Sequence, residues 1–324
     1  MSGNAPRIWA VHDGKQGMAS QVLGLAEATG FPFLEKRLDV RAPWRYLAPG
    51  LWPRPMAALG AGGDSLEPPW PDIVIACGRN AAPPARAAKR ASGGAIFWVQ
   101  IQDPRFARED IDLMVVPAHD PAVGRNVFRT LGAVHRVTAK RLHEDAHRFA
   151  PLFASLPRPL VAVLLGGDNR VYRMTDERFA AFADRLAALN TQGYGLAITP
   201  SRRTDPRLVD LLRDRLAERM TFVWDRTGAN PYFGLLGLAD AIVATADSVS
   251  MVSEAAATAK PVHIVDLDGG SAKFERFHAA MRTAGIARPF RGAIEQWRYT
   301  PPDDTARAAA EIRRRFSLRL TEAA

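Results

Sequence analysis

The sequence predicts a mixed α/β protein of two doubly wound, Rossmann-like domains that face one another across a cleft. Three observations predict it. Short β-branched or apolar runs ending in polar residues or glycine alternate with helix-length segments, the pattern of parallel sheets covered by helices on both faces. The alternation restarts after Ser155-Leu156-Pro157-Arg158-Pro159, where two prolines precede a fresh strand with its own glycine turn. A chain of 324 residues, 47% of them hydrophobic, is also long enough for two domains with separate cores.

In the first half, strands are expected at 7–11, 73–77, 95–100, 113–116 and 126–130, with helices at 21–29 and 82–90. In the second half, strands are expected at 160–165, 195–199, 221–224, 241–245 and 262–265, with helices at 176–190, 206–219, 231–238 and 251–258. The expected domains are 1–156 and 157–303; a last helix in 304–324, with no strand after it, packs back on the first domain.

Composition narrows the function. No apolar run reaches the roughly 18 residues of a membrane span, and Met1-Ser2-Gly3-Asn4 enters a strand without a signal-peptide core, so a cytoplasmic protein is expected. Cys77 is the only cysteine and ends an apolar strand, which excludes internal disulfides and reads as an inert buried thiol. The net charge of +9 is spread over clusters at Arg86–Arg90, Arg202-Arg203 and Arg313-Arg314-Arg315 with no nucleic-acid signature, and suits phosphorylated ligands or an anionic membrane.

The stretch from Ala239 to Val265 reads as strand, polar turn, helix and strand, with Lys260-Pro261 closing the helix. Its turn falls at the carboxyl edge of a parallel sheet, where open α/β sheets bind ligands, and the helix start offers hydroxyls and N–H groups to an anion. A phosphorylated ligand is expected there. Asp247, Ser248 and Ser250 serve as helix caps or as phosphate contacts. Glu254 is either a partner of the helix dipole or an acceptor for the two hydroxyls of a nucleotide ribose.

Other turns carry further candidates. Asp13 ends a strand before Gly14 and Gly17, as a turn residue or a general base, and the glycine spacing is neither a Walker A loop nor a dinucleotide fingerprint. Gly166-Gly167 would let backbone approach a phosphate or simply make a turn. Arg202 and Arg203 would neutralise a diphosphate through forked hydrogen bonds or form a solvated basic turn. Gly269-Gly270-Ser271 opens a helix with Lys273 near its start, in which Phe274, Phe277 and His278 share one face. Asp110-Ile111-Asp112 and Asp266-Leu267-Asp268 look like paired metal-diphosphate acids, but alternate strand residues point to opposite faces, and no histidine cluster has ligand spacing. No metal and no cofactor are expected. Between Pro43 and Met56, Trp44, Tyr46 and Trp52 are set among Arg45, Arg54 and prolines; this segment either covers the first domain's own core or meets anionic headgroups.

Several of these motifs occur together in a known family. Asp13-Gly14-Lys15-Gln16-Gly17 with Gln21, Gly78-Arg79, Val99-Gln100-Ile101-Gln102-Asp103-Pro104-Arg105, Pro117-Ala118-His119-Asp120, Ser201-Arg202-Arg203-Thr204, Asn230-Pro231-Tyr232, Ala246-Asp247-Ser248-Val249-Ser250-Met251-Val252-Ser253-Glu254-Ala255 and Gly269-Gly270-Ser271 with Lys273-Phe274 are specific as a set. Over nearly its whole length the chain resembles bacterial relatives of the plant mitochondrial fission (elongated mitochondria) family, and its start without a plant-like extension looks bacterial. The resemblance implies a glycosyltransferase B-like fold. It implies a donor site made of Gly166, Gly167, Arg202, Arg203, Asn230, Asp247, Ser248, Ser250, Glu254, Gly269, Gly270, Ser271 and Lys273. Asp13 would be the catalytic base, with Gly14, Gly17, Gln21, Arg79, Gln102, Asp103 and His119 on the acceptor side. The expected function is metal-independent glycosyl transfer from a nucleoside diphosphate sugar, the co-substrate, to an acceptor that is lipid-linked and met by weak peripheral attachment to the inner face of the cytoplasmic membrane. The alternative is a noncatalytic adaptor that binds a protein partner at a membrane surface. No nucleic-acid partner is expected.

Overall fold

The structure, a computed structural model, describes residues 5–322; the stretch Met1-Ser2-Gly3-Asn4 lies outside the described residues. The chain divides into two compact units, one running to Arg136 and resuming at Asp303, the other Val137–Pro302.

In the first unit, β1 (Ile8–His12), α1 (Gln16–Thr29), β2 (Phe33–Arg37), β3 (Ile73–Cys77), α2 (Ala82–Ala91), β4 (Phe97–Ile101), β5 (Leu113–Pro117) and β6 (Val127–Thr130) build a six-stranded parallel sheet in the order β2-β1-β3-β4-β5-β6. β1, β3, β4 and β5 are buried at every position, and they read as unbroken apolar runs because both faces of the sheet are covered. Alternate residues face opposite ways: Ile8, Ala10 and Ile75 pack with Val22 and Leu25 of α1, whereas Trp9, Val11 and Trp98 pack with Ala82 and Ala85 of α2. Trp52 is buried in this second cluster and Trp44 packs against it, their rings 6.4 Å apart. The tryptophans therefore cover the unit's own core, and only Tyr46 and Leu51 remain as large exposed apolar side chains between Pro43 and Met56. β2, Phe-Leu-Glu-Lys-Arg, lies at the sheet edge and is half exposed, so its charges blunt the edge and hide it from a search for apolar runs.

In the second unit, α3 (Ala139–Phe153) is followed by β7 (Leu160–Leu165), β8 (Tyr172–Arg173), α4 (Asp176–Thr191), β9 (Gly195–Pro200), α5 (Pro206–Arg215), β10 (Thr221–Val223), α6 (Tyr232–Leu238), β11 (Ala241–Thr245), α7 (Val249–Ala256), β12 (Val262–Val265), β13 (Asp268–Gly269), α8 (Ala272–Thr283) and β14 (Ala287–Pro289). The large sheet is parallel in the order β10-β9-β7-β11-β12-β14, and β8 and β13 form a short antiparallel ribbon. Strand order reverses between β1 and β3 in the first unit and between β7 and β11 in the second. Those are the switch points at which doubly wound sheets bind ligands.

The division between units falls after Arg136 rather than at 156/157. The reason is α3, which packs so closely on α6 that a Cβ at Gly234 or Gly237 would lie 2.7 Å or 2.5 Å from the carbonyl oxygens of Asp145 and Leu142.

The chain returns to the first unit as α9 (Asp304–Glu322). Ala308, Ile312 and Phe316 join the α1 cluster, with the Phe316 ring 5.9 Å from Phe97. Arg313 donates to the carbonyls of Ala28 and Thr29 at the end of α1. Asp304, 3% exposed, accepts the N–H groups of Leu131 and Gly132 at 2.7 and 3.0 Å. Asp304→Ala strands both donors and is expected to lower stability by about 2 kcal/mol in urea unfolding, whereas Asp304→Asn, which keeps an acceptor oxygen, costs less.

Candidate functional site

At the switch point of the second unit, the loops after β7, β9 and β11 are joined by Asp247. Its side chain has no solvent exposure. It accepts from the Thr245 hydroxyl at 2.6 Å, from the Gly167 N–H at 3.2 Å and from the Arg203 guanidinium. Gly166 donates its N–H to Thr245 Oγ1 at 2.8 Å, and the Asn169 amide reaches the Asp247 carbonyl at 3.2 Å. A Cβ on Gly166 would lie 2.0 Å from Asp247 Oδ1, and one on Gly167 2.2 Å from the Arg203 carbonyl. The paired glycines are thus required by neighbouring protein atoms, and their N–H groups are already engaged. The paired glycines make a turn held by its neighbours, and the Arg203 guanidinium is paired with Asp247. Arg202, next in line, is exposed.

At the same edge lie two helix starts, α7 after β11 and α8 after the neighbouring β12 and the short β13. Ser248 caps α7 by accepting the Met251 N–H at 3.3 Å, and Ser271 caps α8 by accepting that of Phe274 at 3.5 Å. Ser250 lies in the first turn of α7, and Lys273, exposed, in the first turn of α8. The β8–β13 ribbon pairs Gly269 with Tyr172, while Gly270 donates to the Val171 carbonyl at 2.7 Å, which fixes the turn before α8. Behind it, the buried His278 bonds through Nε2 to the Ala246 carbonyl at 2.9 Å; the contact requires the proton on Nε2, and burial pushes the pKa of this imidazole below the usual value. Serine hydroxyls and helix N-terminal N–H groups on two adjoining loops can hold an anion.

Glu254, in the second turn of α7, is 6% exposed and accepts the Tyr232 hydroxyl on Oε2 at 2.7 Å. A dipole partner at a helix start needs no such burial. Asn230 is part of the scaffold of this pair: its Oδ1 accepts the Tyr232 N–H at 3.0 Å and fixes the start of α6. Tyr232 was visible in Asn230-Pro231-Tyr232, but the sequence offers no means of pairing α6 with α7.

At the switch point of the first unit, Asp13 follows β1. One carboxylate oxygen takes the Lys15 ammonium and lies 3.4 Å from the Asn80 amide of the loop after β3; the other, Oδ1, is buried without a hydrogen-bond partner. Gly14 donates to His12 Nδ1 at 3.1 Å, which leaves the proton on Nε2, 2.8 Å from Glu35. Gln21 donates to the Gly17 carbonyl and accepts from Gln102, joining α1 to the loop after β4. Asp103 in that loop is paired with Arg108 and accepts the Arg105 N–H; burial raises its pKa, but these hydrogen bonds outweigh it and hold the carboxyl below the usual range. Arg79 reaches the carbonyls of Arg45 and Tyr46, and His119 is buried after β5. Asn80 is the neighbour of Asp13 that the sequence did not single out. Cys77 is buried, and burial pushes its thiol pKa far up.

Two doubly wound units with parallel six-stranded sheets define a glycosyltransferase B-like fold. Solved structures agree: the UDP-GlcNAc 2-epimerase of Neisseria meningitidis bound to UDP-GlcNAc matches with a TM-score of 0.55 at 11% identity, over 95% of this chain and 90% of that one. The ADP-heptose LPS heptosyltransferase II of E. coli matches with a TM-score of 0.53 at 14% identity, over 98% of this chain and all of that one. The chain belongs to the mitochondrial fission ELM1 family, whose model matches residues 16–316. It is 33% identical to the mitochondrial fission protein ELM1 of Arabidopsis thaliana over 79% of its length, and it spans 66% of the plant protein. An uncharacterized protein of Rickettsia prowazekii is 25% identical over 78% of the chain and 81% of its own length. No helix among the described residues is long and apolar enough to cross a membrane.

Two outcomes follow from this geometry. Asp247→Ala leaves buried donors unmet and is expected to cost about 2–3 kcal/mol in chemical unfolding, against less than about 0.5 kcal/mol for the exposed Arg202→Ala. Burial also lowers the pKa of His263, in the same direction as His278, so the folded chain resists protonating both. Their contribution to stability is complete above the unfolded value of about 6.5 and is lost as the pH falls through the folded values. The melting temperature followed from pH 8 to pH 5 should therefore drop on the acid side, and less so in His278→Gln.

Proposed function

We propose that the chain is a metal-independent, glycosyltransferase-like protein that takes a nucleoside diphosphate sugar in its second unit. The observation that carries this reading is the pair of helix starts, α7 and α8, on adjoining loops at the carboxyl edge, with a buried carboxylate, Glu254, one turn behind the first. The helix N-termini with Ser248, Ser250, Ser271 and Lys273 take the diphosphate, and Glu254 takes the ribose. The epimerase of the same fold, solved with UDP-GlcNAc, supports a nucleotide-sugar ligand. In the transfer, the bond from the anomeric carbon to the diphosphate oxygen breaks, the acceptor oxygen bonds to that carbon, and Asp13 Oδ1 receives the acceptor's hydroxyl proton. The helix starts stabilise the charge on the departing diphosphate.

A lipid-linked acceptor is the finer reading. It rests on Tyr46 and Leu51, exposed beside Arg45 and Arg54, while the two tryptophans belong to the core. The family name favours a second reading, a noncatalytic adaptor at a membrane surface. A thermal-shift screen of nucleoside diphosphates and their sugars separates the two, because a ligand of the native state raises the melting temperature. Stabilisation by at least one nucleotide-sugar is expected, and none supports the adaptor.

Glu254→Ala is expected to weaken binding of that ligand by about 2–4 kcal/mol in calorimetry. Asp13→Asn should leave donor affinity unchanged and slow transfer by about 100-fold or more. Vesicle flotation of Tyr46→Ala/Leu51→Ala addresses the acceptor: loss of a salt-sensitive preference for anionic vesicles is expected, and no such preference in the parent chain sends the search to soluble acceptors.

A further inference from the structure

We infer that Tyr232 is a positioning residue that makes the nucleotide site of the second unit selective for ribonucleotides, by holding the Glu254 carboxylate in the plane that accepts the ribose hydroxyls. The inference rests on the nucleotide-sugar reading above and adds the element that reading lacks, a reason for Glu254 to stay aimed.

Glutamate has three rotatable side-chain bonds, and a carboxylate that must meet two hydroxyls at once needs its plane fixed. Tyr232 supplies the constraint from another element. It opens α6 as Glu254 occupies α7, and both helices start at the carboxyl edge of the sheet. Its hydroxyl donates to Oε2 at 2.7 Å. Asn230 anchors the backbone of Tyr232, and the Phe233 ring meets the tyrosine ring edge-on at 5.5 Å. Burial, and then the neighbouring carboxylate, push the phenol pKa well above its usual value, so the hydroxyl stays a donor throughout the physiological range. A ribose donates two O–H groups from neighbouring carbons, and a 2′-deoxyribose has lost one. Sites built to bond a substrate hydroxyl reject analogues that lack it, because their own polar group is then left unmet.

Calorimetric titration of the full chain with UDP, ADP and GDP, each against its 2′-deoxy counterpart, tests this in the wild type, Tyr232→Phe and Glu254→Gln. The wild type is expected to bind its preferred ribonucleotide about tenfold more tightly than the deoxy form, the loss of one charge-assisted hydrogen bond. Tyr232→Phe should shrink that preference by weakening the ribonucleotide more than the deoxynucleotide, which keeps one hydroxyl for Glu254. A merely structural strut would weaken both equally, and an equal loss, or an undiminished preference, overturns the inference. Glu254→Gln keeps the test open if Tyr232→Phe does not fold: it removes the charged acceptor to which the ribose hydroxyls donate, so the preference must shrink there too. A wild type that binds without any ribose preference refutes the clamp alone. A wild type that binds none of the six nucleotides refutes the nucleotide reading and the clamp with it.

Discussion

Burying a charged carboxylate costs several kcal/mol unless donors surround it, and Asp247 is surrounded. The Thr245 hydroxyl comes from the end of its own strand, the Gly167 N–H from the loop after β7, and the Arg203 guanidinium from the loop after β9. Three loops that would otherwise move independently are thereby held against one atom group. The N–H groups of Gly166 and Gly167 are engaged in and around this bracket. What remains rigidly presented are the starts of α7 and α8, whose caps and ribbon contacts do not draw on Asp247 oxygens. Preorganised N–H groups of this kind need no rearrangement when charge develops on a leaving group.

The same local neutralisation governs the charge of the molecule. A net charge of +9 suggests a basic surface, yet two of the basic clusters are partly answered by nearby acids. Arg86 and Arg90 of α2 pair with Asp110, and Lys89 with Asp112. Arg314 and Arg315 share Glu311, and these bonds draw its pKa down to about 2. These clusters are therefore partly taken up within the fold, between α2 and the loop after β4 in one case and inside α9 in the other. Exposed pairs of this sort contribute little each.

Much of the architecture was legible because central parallel strands must be apolar on both faces: Ile73-Val74-Ile75-Ala76-Cys77 and Leu160 to Leu165 could hardly be anything else. The edge strands β2 and β14 escaped because an edge residue faces solvent, and Phe-Leu-Glu-Lys-Arg or Ala-Arg-Pro carries no such run. α3 escaped for a related reason, since only Phe153 of its residues is fully buried. At the candidate sites, position relative to a strand end could be read, but the partner of each side chain could not. Asp13 and Glu254 were found as carboxylates at strand-to-helix junctions. That Asn80 approaches the first and Tyr232 the second depends on which strands become neighbours, and strand order is not written in any local pattern. Gly166-Gly167 reads along the chain as a phosphate cradle or a plain turn, whereas the atoms that exclude a Cβ there belong to residues about forty to eighty positions away.

The return of α9 to the first unit has a bearing on biosynthesis. The second unit is one uninterrupted stretch, Val137–Pro302, and can close its core as soon as it has left the ribosome. The first unit cannot, although it is translated earlier: the face of its sheet formed by Ile8, Ile73, Ile75 and Phe97 keeps a gap until Ala308, Ile312 and Phe316 emerge. Domains generally mature in order of synthesis. Here the order is inverted, so the nascent chain carries an incompletely covered parallel sheet through the whole time its successor is being made, and a stop codon upstream of α9 would release a well-formed second unit tethered to an exposed apolar surface.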